Sequence, residues 1–98
     1  MEPKNIKELE FFLSENNLFE ILGVDDIGVF GSFARGEAAN DIDLLFENVQ
    51  NKKKIIAVKE ELEKKLGKKF DIVFDEFANP IIMHRAKRDL KHVEKYQK

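Results

Sequence analysis

The sequence predicts an α/β or α+β domain, a sheet of three or more strands with helices packed on its face. Three observations carry that expectation. Short apolar runs ("IGVF", "IDLLFE", "KFDIVF") alternate with longer segments whose apolar residues recur every three or four positions. Turn and cap residues, among them Gly23, Gly31, Gly67 and Asn79-Pro80, punctuate the chain between them. At 98 residues there is chain for one modest core and not for two, so residues 1–98 read as a single domain.

The elements follow in order. Asn5 to Asn16 reads as a helix with Ile6, Leu9, Phe12 and Leu13 on one side and Asn16-Asn17 as its stop. "LFEIL" (18–22) is a short apolar piece ended by Gly23, and "IGVF" (27–30) is a buried strand running into Gly31. "IDLLFE" (42–47) is a second strand. An amphipathic helix then runs from Asn51 to Leu66 on Ile55, Val58, Leu62 and Leu66, with Gly67 at the position after its cap. "KFDIVF" (69–74) is the third strand. Asn79 caps and Pro80 opens a last helix whose buried stripe is expected at Ile82, Met83, Ala86, Leu90 and Val93.

Composition narrows the class. Hydrophobic residues make up 43% and charged residues 37%, and nine Phe with no Trp point to a core of Phe, Ile, Leu and Val. The absence of cysteine rules out a disulfide scaffold and thiolate metal sites and fits a reducing cytoplasm. No apolar run approaches the roughly 20 residues a membrane span needs, and no signal-peptide pattern opens the chain. A cytoplasmic domain without membrane association is the expectation.

The net charge of −2 hides an asymmetry. Residues 1–50 carry three basic and eleven acidic side chains, whereas residues 80–98 carry six basic and two acidic ones. Direct nucleic-acid binding is not expected from a chain this acidic. The basic residues of the expected C-terminal helix (Arg85, Lys87, Arg88, Lys91, Lys95) could contact a triphosphate or an acidic partner, but solvent is their expected neighbour.

The chemistry concentrates in "VFGSFARGEAANDIDLLF", residues 29–46. Residues i and i+2 of a strand share a face, about 7 Å apart at Cα, so Asp41 and Asp43 can aim at one point. Asp71 is the same anomaly in the next strand, an acid surrounded by Phe70, Ile72, Val73 and Phe74. If the two strands are neighbours, three carboxylates converge, and like charges so placed take up protons unless a cation lies between them. Oxygen-only ligands suit a hard ion, Mg²⁺ or Mn²⁺, rather than zinc. Such sites complete their coordination with substrate phosphates. Gly31 allows close backbone approach, and Ser32 begins a helical turn whose free N–H groups point at an anion. Together these residues indicate metal-assisted transfer from a nucleoside triphosphate.

Other motifs carry less. Asp75 and Glu76 are alternatives to Asp71, but only Asp71 has apolar flanks that place it inside the strand. His84 and His92 are expected at the surface or boundary, with no carboxylate pairing. No Gly-x-Ser-x-Gly elbow surrounds Ser32, and no Gly-Lys-Ser/Thr marks a P-loop.

"GSFARGEAANDIDLLF" resembles the Gly-Ser-x-x-Arg-Gly…Asp-x-Asp signature of the DNA polymerase beta-like nucleotidyltransferase superfamily, and the short chain looks like its minimal nucleotidyltransferase (MNT) family. The resemblance covers nearly the whole chain. It implies a nucleotidyltransferase fold, a mixed twisted sheet with helices on one side. It also implies that Gly31 and Ser32 form the phosphate-binding turn. Asp41 and Asp43 are then paired ligands for two Mg²⁺ ions, and Asp71 is the third carboxylate, which also activates the attacking hydroxyl. Asn40 stands where Ser is usual. Arg35 is assigned either to the triphosphate or partner, or to a structural ion pair. The implied partners are a nucleoside triphosphate, ATP foremost, and a helical HEPN-domain RNase toxin. AMP transfer to a tyrosine of that toxin would make this chain an antitoxin. The alternative is a module that neutralises its partner by binding alone.

Overall fold

The computed structural model describes residues 3–95. Its elements are α1 (Ile6–Glu15), α2 (Leu18–Leu22), β1 (Asp26–Phe30), α3 (Gly31–Ala34), β2 (Asp41–Phe46), α4 (Lys52–Leu66), β3 (Lys69–Phe74), α5 (Pro80–Asp89) and β4 (Lys91–Glu94). The four strands form one mixed sheet in the order β3-β2-β1-β4. α4 carries the chain back along the sheet, so β2 and β3 are parallel, while β1 pairs antiparallel with both β2 and β4. Among the described residues no helix is long and apolar enough to cross a membrane.

Capping side chains set the helix boundaries. The Asn5 side chain accepts from the Glu8 N–H at 2.9 Å, Asn51 from Lys54 at 3.1 Å and Asn79 from Ile82 at 2.9 Å. At the far end of α4, Gly67 adopts φ +68°, a left-handed cap that glycine takes at little cost.

The period of two in the strands sorts residues between the faces. Ile27, Val29, Ile42, Leu44, Phe46, Phe70 and Val93 bury one face against Leu9, Leu13, Phe19, Leu22, Ile55, Leu62 and Leu66 of α1, α2 and α4. The other face carries Gly28, Asp43, Leu45 and Asp71. There α5 crosses toward β1, and a Cβ added at Gly28 would lie 2.7 Å from Leu90 Cδ1. Glycine at position 28 is what lets this segment lie so close to the strand.

The C-terminal segment departs from expectation. α5 stops at Asp89, Leu90 is extended, and residues Lys91–Glu94 form β4 along the open edge of β1. Val93 is therefore buried in a strand, not on a helical stripe, and Ile82 is 42% exposed. The physical reason is the edge itself. Unpaired β1 backbone groups offer "KHVE" a ladder, and alternation turns its one large apolar residue into the core. Lys91 and Lys95 accordingly do not belong to a basic helix face. His92 also departs from expectation, because its Nδ1 lies 3.0 Å from Asp26 Oδ2 across the β1–β4 pair.

Candidate active site

Strand pairing brings the carboxylates together. In the parallel register Asp41 lies opposite Lys69 and Asp43 opposite Asp71, while Phe30 at the end of β1 lies opposite Asp43 on its other side. Asp43 is half-buried, and Asp41 and Asp71 are exposed. Burial pushes the Asp43 carboxyl up to about 6, aided by its hydrogen-bonding contact with Asp71 and by the charges of Asp71 and Asp41. The positive charge of Arg35 acts in the opposite direction.

The chain leaves β1 directly into the turn. Gly31 has φ +75°, which favours glycine, and begins α3 with no side chain capping the free N–H groups of its first turn. A Cβ at Gly31 would fall 2.3 Å from Asp43 Oδ2. The turn and the central carboxylate are thus in direct apposition, and only a hydrogen at position 31 permits it.

Arg35 is already engaged. Its Nε donates to Glu37 at 2.8 Å and one terminal nitrogen donates to Asp89 at 2.7 Å. The other donates to Ser32 Oγ at 3.2 Å. These carboxylates hold the guanidinium firmly protonated, and Arg35 in turn holds Glu37 below the usual carboxylate range. Arg35 therefore orients the Ser32 hydroxyl and ties α3 to α5. Asp75, by contrast, lies past the end of β3, where its side chain accepts from the Asn48 N–H at 3.4 Å.

Glu37, Asp89 and Lys69 were not singled out from the sequence. Asp89 is 54 residues from Arg35, and nothing local signals the contact. Lys69 was legible in principle, since it sits two residues before Asp71 on the same face of its strand.

Among the described residues, no three His, Cys, Asp or Glu side chains already form a group that could hold a metal ion. The donor set nonetheless fits a hard divalent ion. It is all oxygen, two of its members touch, and the central one is harder to ionise than a free carboxyl, a penalty that nearby positive charge relieves.

Comparison with known proteins places the chain in a family. The family described as "Polymerase beta, Nucleotidyltransferase" matches residues 8–96. The protein adenylyltransferase MntA of Thermococcus cleftensis is 36% identical over 99 residues, covering 95% of this chain and all of that one. A toxin–antitoxin crystal structure with AMP-PNP aligns with TM-score 0.63 at 21% identity, covering 87% of this chain and 76% of that chain. A complex described as tri-AMPylated Shewanella oneidensis HEPN toxin with MNT antitoxin aligns with TM-score 0.59 at 19% identity, covering 88% and 73%. At such identities the structural likeness speaks for the fold. The sequence matches span nearly all of the chain and go further: this chain belongs to the polymerase beta nucleotidyltransferase family, in its minimal (MNT) branch.

Proposed function

We propose that this chain is an antitoxin that transfers AMP from ATP, with Mg²⁺, onto a hydroxyl of a partner protein, the tyrosine of a HEPN-domain RNase toxin. Residues 1–98 act as a single catalytic domain, and the reaction is cytoplasmic. The observation that carries this reading is the apposition of Gly31 with Asp43, and of Asp43 with Asp71, on one exposed sheet face. The 36% identical protein adenylyltransferase and the toxin–antitoxin neighbours support the choice of nucleotide and acceptor class.

In this reading Gly31 and Ser32 hold the β- and γ-phosphates on the open N–H groups of the turn, with Arg35 steadying the Ser32 hydroxyl. Asp41, Asp43 and Asp71 hold two Mg²⁺ ions, for which Mn²⁺ can substitute. Bound there, the ions neutralise charge on the α-phosphate and on the departing pyrophosphate. Asp71, exposed on the edge strand β3, accepts the acceptor hydroxyl's proton. The acceptor oxygen forms its bond to the α-phosphorus as the α–β phosphoanhydride bond breaks, and pyrophosphate leaves.

The test mixes the chain with a HEPN-domain protein, ATP and Mg²⁺, and weighs both proteins by intact mass spectrometry. A gain of one or more AMP units on the HEPN protein is expected, with none for Asp41→Ala or Asp43→Ala. Transfer that survives both substitutions removes the metal assignment. Toxin neutralisation that survives them while transfer is lost favours neutralisation by binding alone.

A further inference from the structure

β4 does more than cover the edge of the sheet. Its pairing with β1 runs Asp26↔Glu94, Ile27↔Val93, Gly28↔His92 and Val29↔Lys91. Carried two residues further, the same antiparallel register puts Leu90 level with Phe30 and Asp89 level with Gly31. The chain therefore enters β4 beside the point where it leaves β1 for the Gly-Ser turn. Three contacts pin that register. Val93 is fully buried, His92 Nδ1 lies 3.0 Å from Asp26, and the Glu94 N–H donates to Glu10 of α1 at 2.8 Å. A slip of one residue would turn Val93 to solvent and move Asp89 away from the turn.

Asp89 makes use of this placement. Its Oδ2 accepts from one terminal nitrogen of Arg35 at 2.7 Å, and the other terminal nitrogen donates to Ser32 Oγ at 3.2 Å. A hydroxyl that accepts from a guanidinium keeps its own O–H free to donate. Ser32 is thereby set as a donor, the polarity that an incoming phosphate needs. Glu37 also grips Arg35, but it lies two residues along the same turn and moves with it. Asp89 is the carboxylate that ties the guanidinium to a different part of the fold.

The position works against the helix that carries it. Asp89 is the last residue of α5, where a carboxylate opposes the helix dipole, unlike Lys87 and Arg88 beside it. Nor does the ion pair contribute much stability, since its two side chains are 43% and 27% exposed. Orientation of Ser32 accounts for an acid here better than stability does.

We propose that β4 acts as a ruler that sets Asp89 against the turn, and that Asp89 is a positioning residue: through Arg35 it fixes the Ser32 hydroxyl as a donor to the nucleotide's terminal phosphates. The proposal rests on the reading of Gly31 and Ser32 as the phosphate-binding turn and extends that site to the C-terminal strand. Charge alone predicts the opposite sign, because removing a carboxylate near a triphosphate should tighten binding.

The test measures the affinity of the full chain for AMP-PNP with Mg²⁺ by calorimetry, with no acceptor present, and separately AMP transfer to a HEPN-domain protein. Asp89→Asn is expected to weaken nucleotide binding about tenfold and to raise KM for ATP in parallel. Its kcat at saturating ATP should stay within about threefold of wild type, and its Tm within about 5 °C. Asp89→Glu, which keeps the accepting oxygens, should recover most of the affinity. A glycine inserted between Asp89 and Leu90 leaves β4 paired but shifts Asp89 off its mark. It should weaken binding as Asp89→Asn does, and the two changes together should cost no more than either alone. Glu76→Gln, which removes an acid paired with Lys52 past the far end of β3, should leave binding unchanged. Nucleotide binding that is unchanged or tighter in Asp89→Asn overturns the positioning role. So does a loss that Asp89→Glu fails to recover and that appears in kcat and Tm alike, since that pattern is purely structural. An inserted glycine without effect overturns the ruler. A wild-type chain that binds AMP-PNP but transfers no AMP, with binding weakened in Asp89→Asn, upholds the positioning role and overturns the transferase reading.

Discussion

Replacing Gly31 by Ala tests the link between the turn and the carboxylates, and Gly36→Ala is its matched control. Both glycines have positive φ, +75° and +80°. Either substitution therefore forces Ala into the left-handed region at about 1–2 kcal/mol. For a chain of this size that lowers Tm by roughly 5–15 °C. The surroundings differ sharply, however. A Cβ at Gly36 meets nothing within 4 Å, whereas one at Gly31 lies 2.3 Å from Asp43 Oδ2. Asp43 must retreat by about 1 Å to restore ordinary contact, and a misplacement of that size at a reacting centre costs on the order of 100-fold. Because the clash falls on the end of a side chain that can swing away, stability barely registers it. Gly31→Ala should melt within a few degrees of Gly36→Ala yet transfer AMP about 100-fold more slowly, in a thermal melt and a single-turnover assay with α-labelled ATP. Equal rates for the two variants would refute the proposed apposition.

Further predictions concern charge, support and packing. In the metal-free protein the folded Asp43 carboxyl holds its proton to about pH 6, against an ordinary 3.8. The native state then binds more protons than the unfolded state between those values, so stability falls as pH rises from about 4 to 7. The loss is about 1–3 kcal/mol once solvent screening of this partly exposed group is included; Asp43→Asn should flatten it in pH-dependent urea melts. Mg²⁺ should accordingly raise Tm more at pH 7.5 than at pH 5, and chelation should reverse the gain. Arg35→Lys, which cannot serve Glu37, Asp89 and Ser32 together, should raise KM for ATP with little change in Tm. Val93→Ala removes fully buried methyl groups from β4 and should cost about 1–3 kcal/mol, whereas the exposed Lys91→Ala should be nearly neutral.

Much of the candidate site was legible because its signals are local. Asp41 and Asp43 share a face by strand period, and an acid among Phe70, Ile72 and Val73 is conspicuous in any strand. The meeting of Asp43 with Asp71 is a matter of parallel register, which the sequence leaves conditional on the two strands being neighbours. Of the partners of Arg35, Asp89 was hidden for the same reason: only the packing of α3 against α5 joins residues 35 and 89. β4 escaped notice because Leu90 and Val93 continue the spacing of a helical stripe, and four residues are too few for alternation to outweigh it. What decided the matter was the vacant edge of β1, a tertiary fact.

The parallel register of β2 and β3 has a consequence for how the molecule comes into being. Asp43 and Asp71 belong to strands that meet only after the intervening loop and α4 have closed, an entropic cost met before any contact rewards it. Helices α1 and α4 can form within a microsecond on local contacts, but the strand pairs that assemble the carboxylates, and β4 onto β1 across more than sixty residues, belong to the slow, high-contact-order part of folding. A chain still emerging or only partly folded thus holds its acidic residues apart. Catalytic competence arrives with the last strand pairings and serves as a readout that the fold is complete.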